Sequence, residues 1–185
     1  KKHRLFWGDT HCHSNFSPDA EGEADELINY AKDIAGIDFV CVIDNDYYPH
    51  KSLTLAEWKI HQELSRHFTI KNRFIVFAGW EFTYHRKDLE PSFNHRTVIY
   101  PFTKGDLYRR IDRETDSDKK LMAKLKNKKV ICYPHHCTYE IISPDIDKNV
   151  EVTSSWRVCM EEVDFTIKKL QEGEVFGFIG SSDSH

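Results

Sequence analysis

Short apolar runs recur along the chain, and most of them end in a cluster of His, Asp or Glu. Leu5-Phe6-Trp7 reads as a strand leading into Gly8-Asp9-Thr10-His11-Cys12-His13-Ser14. Asn15 to Gly22 is polar, carries Pro18-Asp19 and reads as a loop. Ala24, Leu27, Ile28, Ala31, Ile34 and Ala35 share one face of a helix over Glu23 to Ala35, with Gly36 as its stop. Phe39 to Ile43 is a continuous apolar run, as expected of a strand buried on both faces, and closes on Asp44-Asn45-Asp46. Leu53 to Phe68 has the length and composition of a helix. Phe74 to Ala78 is a second buried strand, followed by Gly79-Trp80-Glu81.

Further on, Arg86 to Phe93 is a polar loop and His95 opens a short strand over Thr97 to Tyr100. Thr103 to Lys120 is charged and without period, a solvated face, and Leu121 to Leu125 suits a short helix. Val130 to Tyr133 runs as a strand into Pro134-His135-His136. Val150 to Thr153 is strand-like, Glu161 to Gln171 helical, and Phe176 to Ile179 is a last strand before Gly180-Ser181-Ser182-Asp183-Ser184-His185. Strands alternating with helices predict an α/β fold with mostly parallel strands, either a barrel or an open sheet.

Length and composition narrow the picture. The 185 residues, 39% hydrophobic and 30% charged, suit one domain spanning 1–185. A net charge of −4 speaks against a nucleic-acid footprint, which needs a basic surface. No apolar run reaches the length of a membrane span, and no signal peptide opens the chain. Neither a nucleic-acid nor a membrane partner is expected. The 5 cysteines are odd in number and show no Cys-x-x-Cys spacing. Cys41 and Cys132 lie in apolar runs as buried thiols, which favours a reducing, cytoplasmic compartment.

The 11 histidines change the picture more. His11 and His13 are two apart on an extended segment, so both imidazoles point one way and Cys12 the other. Asp44 to Asp46, Glu81, His135 with His136, and Asp183 with His185 follow four further strand runs; His95 instead begins its run. In α/β barrels the C-terminal ends of strands assemble the active site. The nitrogen and oxygen donors suit Zn, Mn or Fe, and the set exceeds what one tetrahedral ion uses. Two or three divalent ions are expected, with Glu81 bridging two of them. Hydrolysis is the default chemistry of paired ions. No P-loop or G-x-G-x-x-G points to a nucleotide cofactor.

These residues resemble the PHP (polymerase and histidinol phosphatase) superfamily, in order from Trp7 to the last residue. That family carries His-x-His after its first strand, then a Ser-Asp-Gly-like loop, Thr-Asp-His-Asp, a Glu, two single histidines and Asp-x-His. Here stand His11-Cys12-His13, Ser17-Pro18-Asp19-Ala20, Asp44-Asn45-Asp46, Gly79-Trp80-Glu81-Phe82-Thr83, Asn94-His95-Arg96, Pro134-His135-His136 and Asp183-Ser184-His185. Gly-Trp-Glu-Phe-Thr and Pro-His-His are most similar to the carbaryl-hydrolase-like branch.

The resemblance implies a distorted (β/α)7 barrel and a hydrolase, foremost a phosphoesterase acting on a small anionic phosphoester through a metal-bound hydroxide. His11, His13, Glu81 and Asp183 would hold one ion. Glu81, His95 and one of His135 or His136 would hold the second, His135 being nearer the strand end. Asp19 and His185 would share the third, and Glu81, Asp183, Asp19 and His185 would carry the catalysis. The family's third-site imidazole is Asn45 here, so that site is expected to be empty or weakly held. Family chains continue past Asp-x-His by about one more helix and strand, so this chain is expected to be a fragment or a trimmed form. Asp44 would orient a ligand and not be one. Arg96 and Arg157 could fork onto substrate oxygens; Tyr84 and His85 could touch substrate. His3, His50, His61 and His67 read as surface or packing residues. Hydrolysis of a carboxylic or carbamic ester is the alternative chemistry. A catalytically idle domain with a structural or binding role is the alternative that Asn45 favours.

Overall fold

A computed structural model describes residues 3–47, 49–85, 93–135, 145–155 and 160–185. The chain is α/β, with nine strands and four α-helices among the described residues. A three-stranded parallel sheet has the order β1 (Gly8–Cys12), β2 (Phe39–Val42), β4 (Ile75–Val76). A four-stranded sheet has the order β3 (Asn45–Asp46), β5 (Ala78–His85), β6 (Phe93–Tyr100), β7 (Ile131–His135). Strands β8 (Asn149–Thr153) and β9 (Gly177–Gly180) form a parallel pair.

The three sheets follow one another around a common interior. Chain runs from β2 into β3 and from β4 into β5, so the first two sheets are continuous through Ile43-Asp44 and Phe77. A parallel bridge from Cys132 to Asp147 joins β7 to the approach of β8. Another, from Cys12 to Ser184, joins the end of β9 to β1. These are single bridges; no ladder of strands closes into a barrel among the described residues.

Packing follows the side-chain period of two. Val40 and Val42 of β2 pack outward with Cys12 beneath α1 (Ala24–Asn29), burying Ala24, Ile28 and Ala31. The same helix continues as a π-helical stretch, Tyr30–Ile34, and Gly36, at φ +66°, ends it. Trp80, Phe82 and Val98 pack outward against α2 (Leu55–Phe68) and α3 (Asp118–Leu125), meeting Trp58, Leu121 and Leu125. Thr54 starts α2 with a capping box, its hydroxyl accepting from Glu57 N–H and its own N–H donating to Glu57. Cys41, Ile43, Ile99 and Tyr133 fill the interior. Gly79 lets that interior close up: a Cβ there would lie 2.6 Å from Cys41 Sγ and 2.8 Å from the Val98 carbonyl oxygen.

The expected first strand needs correction. Leu5, Phe6 and Trp7 do not form the first strand; they are 74%, 56% and 66% exposed, because no described layer covers them. The strand is the motif itself, Gly8–Cys12. The strands are mostly parallel, as expected, with four parallel pairings, but β6 runs antiparallel to both β5 and β7. That reversal explains why His95 begins its strand while the other clusters end theirs. Antiparallel pairing sets His95 opposite both Thr83 of β5 and His135 of β7.

Candidate metal centre

The site gathers where these strand ends meet the interior. Glu81 and Thr83 of β5, His95 and Thr97 of β6, and Tyr133 and His135 of β7 share one face by register. On β1 a bulge between Asp9 and Cys12 breaks the pairing with β2. Bulges re-aim side chains at functional sites. Here Thr10 reaches the interior Tyr133 hydroxyl at 2.9 Å and His11 also turns inward. Asp9 pins the bulge, its Oδ1 accepting from the N–H groups of His11 and Ser182.

At the centre, His11 Nε2 lies 3.1 Å from His13 Nε2 and 3.0 Å from Asp183 Oδ1. His13 Nε2 is 3.4 Å from Asp183 Oδ1, and Glu81 Oε2 is 3.5 Å from each histidine. Donors about 2.1 Å from a tetrahedral ion stand about 3.4 Å from one another. His11, His13 and Asp183 therefore fit one divalent ion, with Glu81 within reach of both histidines. Glu81 also faces the other way: its Oε1 is 2.5 Å from His95 Nδ1 and accepts from Thr83 Oγ1 at 2.8 Å. His135 Nε2 lies 3.7 Å from Glu81 Oε2, with its ring 4.2 Å from that of His11. All but His95 are essentially fully buried.

Asp183 sits at φ +52°, a left-handed conformation that costs a non-glycine residue energy and recurs at functional sites. Its N–H donates to the His11 carbonyl at 2.7 Å, and Ser154 Oγ donates to its Oδ2. His185 and Asp19 stand at the rim. The His185 ring stacks on His13 at 4.3 Å, and its Nε2 is 3.7 Å from Asp19 Oδ1.

Asn45 is buried in β3, in register with Glu81, and its Oδ1 has no hydrogen-bond partner among the described residues. A neutral amide oxygen is a poor donor for zinc-like ions. Asn45→His is expected to raise the bound metal by about one ion per chain, since imidazole is the donor such ions prefer. Elemental analysis of both proteins checks this; an unchanged ratio would place residue 45 outside any ion's reach.

Two residues that sequence reasoning passed over hold the centre from behind. Glu151 of β8 is buried, with its carboxylate oxygens 3.0 and 2.9 Å from His11 Nδ1. The Nδ1 proton goes to that carboxylate, leaving Nε2 for the centre. A second register shift, between Glu151 and Thr153, accompanies it. His61 of α2, expected to be a surface or packing residue, is buried with Nε2 2.8 Å from Asp44 Oδ2. Only the alternation of strand-like Val150 to Thr153 hinted at Glu151; nothing in the α2 sequence marks His61.

Arg96 lies apart from the gathered side chains. Its neighbours on β6 face the centre, so Arg96 faces the opposite way. It is fully buried, with Nη1 2.8 Å from Asp147 Oδ1. Tyr84 likewise packs outward, beneath the Arg110 guanidinium. Arg157 and His136 lie outside the described residues, as does the side chain of His85.

In the metal-free centre, His11 and Glu81 are shifted by their neighbours. Burial would lower the His11 pKa, but Asp183, Glu151 and Glu81 outweigh it and hold it well above the ordinary histidine value. Burial would raise Glu81, but His95, His135 and His11 outweigh it and hold it well below the carboxylate range. Two signs follow. Protonated His11 stabilises the metal-free fold below the unfolded value of about 6.5, and that stability is lost as pH rises through the higher folded value. Ionised Glu81 stabilises above about 4.3, and that stability is lost as pH falls through the lower folded value. A metal must displace the His11 proton, so binding is expected to release protons and tighten with rising pH. Calorimetric metal titrations in buffers of different ionisation enthalpy test this; pH-independent affinity without proton release would remove His11 from the donor set.

No family model and no curated protein matches the sequence. A crystal structure of a Bifidobacterium adolescentis protein, described as a "putative metal-dependent phosphoesterase", resembles the chain with a TM-score of 0.59 at 14% identity. The match covers 96% of this chain and 87% of that one. At that identity the two chains share a fold.

Proposed function

We propose that the chain is a metal-dependent hydrolase of the PHP kind, foremost a phosphoesterase acting on a small anionic phosphoester. One observation carries the reading. A single buried carboxylate, Glu81, stands between His11 and His13 on one side and His95 on the other, with His135 beside it. That is the arrangement of a ligand shared by neighbouring cations. The fold likeness to a protein described as a metal-dependent phosphoesterase supports it.

Divalent ions held there would supply Lewis acidity and lower the pKa of a bound water. The chain's own groups do the rest. His11, His13, Asp183 and Glu81 offer one set of donors; Glu81, His95 and His135 offer the other. Thr83 holds Glu81 Oε1, fixing how the carboxylate is divided between them. Asp19 and His185, at the exposed edge and 3.7 Å apart, would pass a proton to the leaving alcohol. With Arg96 turned away, bound cations would meet the substrate's charge. The strands are read as a distorted (β/α)7 barrel in a single domain, supported by the bridges tying β9 to β1 and β7 to the approach of β8. No helix among the described residues is long and apolar enough to cross a membrane.

Parallel assay of the zinc- or manganese-loaded protein on an aryl phosphate and on aryl carboxylic and carbamic esters tests the reading. Phosphate release that stops on chelation and returns with metal is expected. Ester turnover without phosphate release would transfer the centre to ester chemistry. Metal binding with no turnover of either would favour the idle domain.

A further inference from the structure

The loop after β1 leaves one polar residue of the motif region without a role in the scheme above. Ser17 is buried, and its hydroxyl makes three contacts. It donates to Asp44 Oδ1 at 2.8 Å, accepts from the Asn45 N–H at 3.1 Å, and lies 3.0 Å from His13 Nδ1. A hydroxyl has one proton and two lone pairs. Asp44 takes the proton and Asn45 fills one lone pair. The remaining lone pair faces His13 Nδ1, which must therefore be the donor.

Asp44 is fixed well enough to impose this. Its Oδ1 also accepts from the Ser14 N–H, and its Oδ2 accepts from Ser14 Oγ, both at 2.6 Å. His61 Nε2 of α2 stands 2.8 Å from Oδ2. All of these groups are buried. The Ser17 proton therefore has one destination, and a helix outside the strand layer helps to set it.

We propose that Ser17, oriented by Asp44, is a positioning residue for His13: it receives the Nδ1 proton and so aims the Nε2 lone pair at Glu81 and Asp183. The centre then holds its two motif histidines by different means, His11 by the Glu151 carboxylate and His13 by a neutral hydroxyl. This rests on the metal-centre reading, since an aimed Nε2 matters only where a cation is bound.

The direct test needs no variant. Long-range proton–nitrogen correlation spectra of the histidine rings, on the metal-free wild-type protein at alkaline pH, report which nitrogen of neutral His13 carries its proton. Nδ1–H is expected; Nε2–H overturns the proposal whatever the protein binds. The second test compares zinc affinity by chelator competition. Ser17→Ala should weaken binding about 10- to 100-fold, the range found when an outer partner of a ligating histidine is lost. Ser17→Thr, which keeps the hydroxyl, should recover most of the loss. Wild-type affinity in Ser17→Ala would overturn the proposal even if its melting temperature fell, since a merely structural serine moves only the latter. A wild-type protein that binds no zinc would instead defeat the metal-centre reading, and the ring spectra would still decide the role of Ser17.

Discussion

Glu81→Gln is expected to empty the centre. The substitution keeps the shape of the side chain but removes the charge that His11, His13, His95 and His135 share. Loss of an outer partner of a ligand costs about 10- to 100-fold in metal affinity; loss of a shared ligand should exceed that. Hydrolysis should fall with it, by at least the roughly 100- to 1,000-fold found when one electrostatic stabiliser is removed from an active site. The amide also presents an N–H₂ group to neighbours that need an acceptor, among them the Thr83 hydroxyl. Metal analysis and turnover measured on the same preparation check both parts. Full metal content in the variant would show that Glu81 ligates nothing.

Arg96→Met is expected to act on the fold and not on the chemistry. The Arg96 and Asp147 side chains are both fully buried, and removing the guanidinium takes a buried ionic partner from Asp147. Breaking a buried pair costs about 3–5 kcal/mol, whereas replacing both charges by apolar groups is often neutral. Arg96→Met should therefore lower unfolding free energy by that amount, and Arg96→Met with Asp147→Leu should recover most of it. Denaturant unfolding gives the stabilities. Activity per folded molecule should stay at the wild-type level, because the guanidinium lies on the face of β6 opposite to His95 and Thr97. Loss of turnover with stability intact would return Arg96 to the substrate.

The contrast between Arg96 and His95 shows what the sequence could and could not carry. Both are polar residues at the start of one apolar run, and sequence gave each a role. Which of the two enters the site depends on strand parity, which is settled only by the pairing of His95 with Thr83 and His135. His11, His13, His135 and Asp183 were legible because each stands at or just beyond the end of a strand, and strand ends converge; Glu81 was legible because it follows an apolar run, although β5 continues past it to His85. The antiparallel course of β6 was not, since an apolar run has no direction until it is paired. Glu151 escaped notice because its approach to His11 accompanies two register shifts, and a bulge leaves no mark in alternation. His61 escaped because a polar residue on a helix normally faces water; packing of α2 against β5 buries it beside Asp44. Charge and motif marked the donors, whereas the groups that aim them became visible only with the packing.

Anomalous diffraction from crystals grown with zinc or manganese tests the central claim most directly. The account predicts two adjacent peaks: one enclosed by His11, His13, Glu81 and Asp183, the other by Glu81, His95 and His135, with the Glu81 carboxylate between them. No peak at these donors, or an ion held elsewhere with Glu81 uncoordinated, would contradict it.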